Sequence, residues 1–275
     1  MKKILIIMGC VAGWMAGYAQ GIDSTAEPVS RIAGSSIFGD YTLSLGVQIG
    51  TDIGGAVPYP LRYVPSPVNA YPHVNASLGA KCGFPLYGRF SLGLECTYKR
   101  VAMDADARVE NQKFDDGDIL QYFSGTAEMH MSFTMIEAPL YIKYRFNRSH
   151  KALLGGYYAY VLSPKFETIA KQGYIGDEPD LVGSPVTPDA PERMNFSSSL
   201  GRWDAGMIVG YELQIFSRLQ AGLRFLVGFK DVFKRGNRYF DYKMLPMRGA
   251  IVISYNIFNF KLKDTVRGTI MSYEL

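Results

Sequence analysis

Glu128, His130 and Ser132 are a carboxylate, an imidazole and a hydroxyl at alternate positions. Residues two apart share a face of a strand, so the three could act as acid, base and nucleophile of a hydrolase. The chain offers little else of this kind. It has no HExxH, no GxSxG and no phosphate-cradling glycine loop, and His73, His130 and His150 are its only histidines, too few for a metal centre. Asp115-Asp116-Gly117-Asp118 and Asp177-Glu178-Pro179-Asp180 have the oxygen density of a Ca²⁺ loop, but within long polar segments they read as solvated acidic loops. No catalytic residue, metal or cofactor is therefore expected, and Glu128, His130 and Ser132 read as ordinary polar strand or loop-base residues.

A larger set of ionisable residues follows a rule. Lys81, Glu95, Lys99, Glu137, Lys143, Arg145, Arg202, Asp204, Glu212, Arg224 and Arg248 each fall on the polar side of a run in which apolar and polar residues alternate. In YTLSLGVQIGTDI, residues 41–53, Leu43, Leu45, Val47 and Ile49 alternate with Ser44, Gly46, Gln48 and Gly50, and the pattern returns from His73 to Phe84 and from Phe90 onward. Period two means strands. Strands of ten or more residues, apolar outward and polar inward, are the pattern of a transmembrane β-barrel. The eleven residues should then form an ion network in its lumen, because an eight-stranded barrel is just wide enough for side chains to fill. An anion-selective pore is the alternative, since cations outnumber carboxylates in the set.

The elements that must position these residues are about eight strands, near 41–53, 72–84, 90–103, 129–146, 151–163, 201–213, 219–230 and 246–258. Connections at 85–89, 147–150 and 214–218 are tight, and those at 54–71, 104–128, 164–200 and 231–245 are long, which assigns short periplasmic turns and long external loops. Segment 165–199, rich in Pro, Asp and Glu, is expected to be external and mobile. Tyr98, Tyr160, Trp203 and Phe229 should sit at the outer membrane interface, with Tyr41, Phe84, Phe90, Phe146, Phe216 and Phe258 at the inner one. On the fourth strand the apolar positions change from odd (Met129 to Met135) to even (Ala138 to Tyr144), and Pro139 lies nearby; a β-bulge between Met135 and Pro139 explains both. Glu137 then points inward, toward Arg145, Arg202 or Arg224. Cys82 and Cys96 fall on the apolar face but out of register, which favours two lipid-facing thiols over a disulfide.

Residues 1–19, with a basic start, an apolar run and a small-x-small site before Gln20, read as a secretory leader. A periplasmic segment, 20–40, precedes the barrel, 41–258, and a periplasmic tail, 259–275, follows it. Asp23-Ser24-Thr25 and Asp264-Thr265-Val266 have the form of bacterial O-glycosylation sites. A net charge of +4 without a basic run excludes a nucleic-acid binder. With mean hydropathy near zero, only a barrel reconciles export with membrane insertion, because a spanning chain must satisfy its backbone internally.

The segment from Thr134 to Phe146, TMIEAPLYIKYRF, resembles the IEIPLLLKYRF strand of the PorT-like outer-membrane β-barrel family, and WDAGMIVGYEL, residues 203–213, is similar to its DFGLVLGAGYEL strand. Leu219 to Phe225 and Gly228 to Val232 resemble the strand and loop that follow. The resemblance spans roughly 40–258, and the chain departs from it in a long acidic third loop and in the tail. It implies an outer-membrane barrel without catalysis, whose founding member assists secretion. The His130-x-Ser132 pair is also similar to that of outer-membrane lipid A deacylases, but Phe133 stands where that family has Asn. The reading is thus an all-β, eight-stranded antiparallel outer-membrane barrel. It is non-enzymatic and meets outer-membrane lipid, with a protein or surface ligand engaged through loops 104–128 and 164–200. A lipid-modifying hydrolase is the less favoured alternative.

Overall fold

Alternation of apolar and polar residues builds eleven strands in the computed structural model, which describes residues 42–64, 68–86, 88–115, 120–179, 183–234 and 242–261. They are β1 (Thr42–Tyr59), β2 (Val68–Pro72), β3 (Asn75–Pro85), β4 (Phe90–Asp115), β5 (Leu120–Arg145), β6 (His150–Gly176), β7 (Ser184–Val186), β8 (Glu192–Asn195), β9 (Trp203–Gln214), β10 (Leu219–Gly228) and β11 (Lys243–Lys261). Eight of these described strands close a ring in the order β1, β3, β4, β5, β6, β9, β10, β11 and back to β1, every pairing antiparallel. Closure leaves no strand edge unpaired in lipid. β2 pairs with the far end of β4, and β7 and β8 with the far end of β6. The short turns gather at the periplasmic end and the long connections at the outer end.

The expected faces hold through the membrane. Leu45, Val47 and Ile49 of β1 point outward while Gln48 and Asp52 are buried, and on β3 Leu78 is outside while Ser77 and Lys81 are inside. Cys82 pairs with Leu94 and Cys96 with Ala80, so the thiols are offset along the hairpin, and both are free.

Three strands are much longer than the sequence suggested. β4, β5 and β6 have 26, 26 and 27 residues, against the ~9–11 that cross a bilayer. Roughly 15 residues of each, on the order of 50 Å of strand, project beyond the membrane. The segments expected as external loops 104–128 and 164–200 are thus largely sheet. β6 runs on through Gly176, β7 and β8 pair back on it, and Phe196 and Leu200 are buried. The composition misled because the projecting sheet is polar on its outer face and apolar on its inner one.

The same inversion corrects the bulge. Along β5, Met131, Phe133, Met135, Glu137, Pro139, Tyr141 and Lys143 all point inward, while Ile136, Ala138, Leu140 and Ile142 point outward. The register with β4 does not slip between Phe90↔Tyr144 and Val109↔Gly125. The strand keeps its phase and its surroundings change: below Thr134 the outside is lipid and the inside a polar lumen, and above it the outside is water and the inside an apolar core. Next to Thr134 the slip lies on β6, where Thr134 faces Ser163 and Met135 faces Val161, leaving Leu162 as the extra residue.

Tyr98 and Tyr160 pair with Ile136, and Trp203 pairs with Tyr160, so the expected outer aromatic band lies level with the inversion. Phe90, Tyr144 and Phe146 cluster at the other end, with ring centroids 5.1 and 5.2 Å apart. The leader, the 20–40 segment, Tyr41, both O-glycosylation tripeptides, the tail beyond Lys261, and Asp116 to Asp118 and Asp180 lie outside the described residues. β11 begins at Lys243 and runs to Lys261, so the strand expected over 246–258 is longer at both ends.

Candidate functional site: the barrel lumen and its outer plug

Period two on eight tilted strands delivers one charged side chain after another to the lumen, and opposite charges meet in three tiers. Nearest the periplasm, Glu212 of β9 takes Lys143 Nζ on Oε2 at 2.7 Å and Lys151 Nζ near Oε1 at 3.5 Å. Lys81 Nζ donates to Gln220 Oε1 and, at 2.7 Å, to Ser254 Oγ. In the middle tier Arg224 grips Glu95 with two nitrogens, at 2.5 and 2.7 Å, while Gln48 Nε2 and the Tyr141 hydroxyl donate to the same carboxylate. In the outer tier Glu137 accepts from Lys99 at 2.7 Å and Arg248 at 2.6 Å, and Asp52 accepts from the same two cations at 2.8 and 3.1 Å. Of the set read from the sequence, Glu95, Lys99, Glu137, Lys143, Glu212, Arg224 and Arg248 thus pair by charge in the lumen, and Lys81 is held there by neutral partners.

Two of the eleven residues, Arg202 and Asp204, are placed differently. Arg202 is exposed outside the barrel and donates to the Leu162 carbonyl at 2.8 Å, because it precedes β9 and no longer follows that strand's alternation. Arg145 sits half-buried at the periplasmic rim. Asp204 is buried but meets the Tyr157 hydroxyl, at 2.7 Å, rather than a cation, and its Oδ1 has no hydrogen-bond partner. The partners expected for Glu137 were also wrong. Arg224 is held by Glu95, and the cations that reach Glu137 come from β4 and β11. Asp52, Gln48, Tyr141 and Lys151 complete the network and were missed. Gln48 and Asp52 lie on the even, polar face of β1, so that face was the available signal. Tyr141 lies over Gly93, where an added methyl group would overlap the ring, so glycine makes room for the aromatic.

Above the ion tiers the lumen is closed by an apolar plug. Met131, Phe133, Met135, Val101, Val161, Leu226 and Met244 pack from the wall, and Phe196, Leu200 and Phe233 fold in from the outer connections. Phe166 packs at a tilt against Phe196 and Phe233, with ring centroids 5.5 and 5.8 Å apart. Leu200 bridges Phe233, and Asp231 Oδ1 accepts from the Phe233 and Met244 amides at 3.1 and 3.3 Å. Burial pushes the Asp231 carboxyl above its ordinary range, with those two amides acting against it.

Glu128, His130 and Ser132 stand on the outer wall of the projecting sheet, not in the lumen. His130 Nδ1 bonds Asp104 at 2.8 Å and its Nε2 lies 3.6 Å from Glu128, while Ser132 Oγ accepts from Arg100 at 2.9 Å. The base therefore does not meet the nucleophile, and the hydrolytic arrangement is not formed. Asp104 also takes His73 Nε2 at 2.8 Å, which ties the approach to β3 against β4. Desolvation raises the Asp104 carboxyl, but the hydrogen bonds from His130 and His73 outweigh it and hold the group below its ordinary range. Among the described residues no cluster of three or more His, Cys, Asp or Glu is arranged to hold a metal.

Solved structures similar to this chain are those of Neisserial surface protein A (10% identity, TM-score 0.35, 78% of this chain and 98% of that one), OprG of Pseudomonas aeruginosa (10%, 0.33, 80% and 96%) and Ail, the attachment invasion locus protein of Yersinia pestis (8%, 0.32, 80% and 99%). No curated protein sequence matches the chain. The family model for the outer membrane protein beta-barrel domain matches residues 33–234. With an eight-stranded ring, a lipid-facing apolar belt and that match over most of its length, the chain belongs to the outer membrane protein beta-barrel domain family and is an outer-membrane protein.

Proposed function

We propose that this protein is a non-conducting, non-enzymatic scaffold of the outer membrane that carries a rigid β-sheet platform outward to meet a protein or surface ligand. The observation behind this reading is the combination of a closed lumen with the projecting ends of β4, β5 and β6. A channel needs a continuous wet path, whereas here ion tiers and then Phe166, Phe196, Leu200 and Phe233 occupy the axis. A hydrolase needs a base within reach of its nucleophile, and His130 is engaged elsewhere. What remains is the outer face of the projecting sheet, with Asp104, Asp106 and Arg108 on β4, Glu128 and His130 on β5, and Lys165, Glu167 and Lys171 on β6.

A platform of this kind recognises its partner by charge and shape across a flat polar sheet. A photocrosslinking residue placed at Arg108 or Glu167 in living cells should give one discrete protein or glycan adduct, and the same residue at Leu140, in the lipid belt, should give none. Equal labelling at all three positions, or lipid adducts only, would refute the platform. Planar-bilayer recordings should show no stepwise conductance, and lipid A should have the same mass with and without the protein.

A further inference from the structure

Just beyond the lipid belt, the outer wall carries positive charge that no acid answers. Tyr98, Ile136 and Tyr160 form one apolar row across β4, β5 and β6. The next row outward on that face is Arg100, Thr134 and Ser163, and the one after it is Ala102, Ser132 and Lys165. Rows on one face are about 7 Å apart along a strand. With strands tilted ~35–45°, the two rows rise about 5 and 10 Å above the aromatic one, across the headgroup layer of a bilayer. Arg100 and Lys165 are exposed, and among the described residues neither has a carboxylate within ion-pair distance. Carboxylates on this face begin one row further out, with Glu167 and with Asp104, which His73 and His130 already hold.

The two cations converge on one residue. Arg100 leans across to β5, where its Nε donates to Ser132 Oγ at 2.9 Å, and Lys165 stands directly opposite Ser132 in the β5–β6 register. Neighbouring strands are ~4.8 Å apart, so a guanidinium and an ammonium flank a shallow trough floored by the hydroxyls of Ser132, Thr134 and Ser163. Arg100 keeps its terminal nitrogens for a ligand, and Ser132, which accepts from Arg100, keeps its proton to donate. Such donors suit a phosphate monoester, whose charge near −2 and three acceptor oxygens match two cations and a hydroxyl. Directly below, Ile136, Tyr160 and Leu162 are exposed to lipid. A ligand that fills both surfaces carries acyl chains under its phosphate.

We propose that this trough binds a lipid A molecule of the outer leaflet, with Arg100 and Lys165 gripping its phosphate monoester, Ser132 donating to it, and its acyl chains lying on Ile136, Tyr160 and Leu162. The lipid is held and not cleaved, because His130 is engaged by Asp104 and does not reach Ser132. The trough is independent of the platform's outer surface: crosslinking at Arg108 and Glu167 tests the platform, and lipid binding tests the trough.

The experiment uses the mature full-length protein refolded in maltoside micelles and titrated with lipid A, with bound lipid counted by native mass spectrometry. One saturable lipid A is expected, bound about ten-fold more weakly by Lys165→Gln and by Arg100→Gln, each the loss of one charge-assisted hydrogen bond. Both side chains are exposed, so both variants keep the fold, read by heat-modifiable migration. Arg100→Lys, which keeps the charge without the planar fork, should fall between, and Arg108→Gln, further out on β4, should bind as the native chain does. Dephosphorylated lipid A, and phosphatidylglycerol with its singly charged diester, should each bind about ten-fold more weakly than lipid A. No saturable binding, undiminished affinity in either Gln variant, or equal binding of dephosphorylated lipid A or of phosphatidylglycerol would overturn the proposal.

Discussion

Glu137→Gln isolates the outer ion tier. The substitution keeps size and shape but removes one of the two negative charges that face Lys99 and Arg248, leaving both cations on Asp52 at 2.8 and 3.1 Å. Glu137 and Arg248 are 1% and 2% exposed, so water cannot replace the lost charge. Removing one partner of a buried pair typically costs ~3–5 kcal/mol. With a slope of about 1–3 kcal/mol per molar urea, as small proteins show, the unfolding midpoint should fall by about 1 M or more. The joint change Glu137→Met with Arg248→Met removes both charges and returns the tier to one cation against one acid. It should cost less than Glu137→Gln alone, because replacing a complete buried pair with apolar groups is often neutral. Reversible urea unfolding in phosphatidylcholine vesicles, followed by tryptophan fluorescence and gel migration, reads both variants. If the pair of changes costs the sum of the two single ones, the tier is not held by mutual neutralisation and the account of the lumen fails.

Three further outcomes are expected. Leu140→Arg, 50% exposed in the lipid belt, should cost ~2–4 kcal/mol, while Ser132→Arg on the same face of the same strand should cost little; similar penalties would refute the change of surroundings near Thr134. Gly93→Ala should destabilise by about 1–3 kcal/mol through overlap with Tyr141, and Tyr141→Leu in the same chain should recover part of it, with full additivity counting against the contact. Because the folded Asp104 carboxyl lies below its ordinary value, its stabilising ties to His73 and His130 are complete above the unfolded carboxylate range, near pH 4. They are lost as pH falls through the lower folded value. Hydrogen exchange at Val68–Pro72 should quicken there in the native chain and already at neutral pH in Asp104→Asn; no difference between the two would remove Asp104 from that role.

The outer-membrane barrel, its strand number and its two faces were legible in the residues themselves, because period two is a local property and lipid tolerates only one arrangement of it. Lys81, Glu95, Lys99, Glu137 and Glu212 could be placed inside by counting alone. Which of them pair could not, since Arg248 and Glu137 are 111 positions apart and meet only when the ring closes. The same limit explains β5. Its apolar residues change parity at Thr134, and sequence reasoning turned that change into a bulge because it assumed one solvent along the strand. Only the closed barrel, with lipid outside one stretch and the Phe166, Phe196 and Phe233 plug inside the next, shows that the strand is straight in phase and that the surroundings invert. The polar composition of 164–200 likewise announced water, correctly, on one face; that its other face builds a core was decided by long-range packing, which no local pattern records.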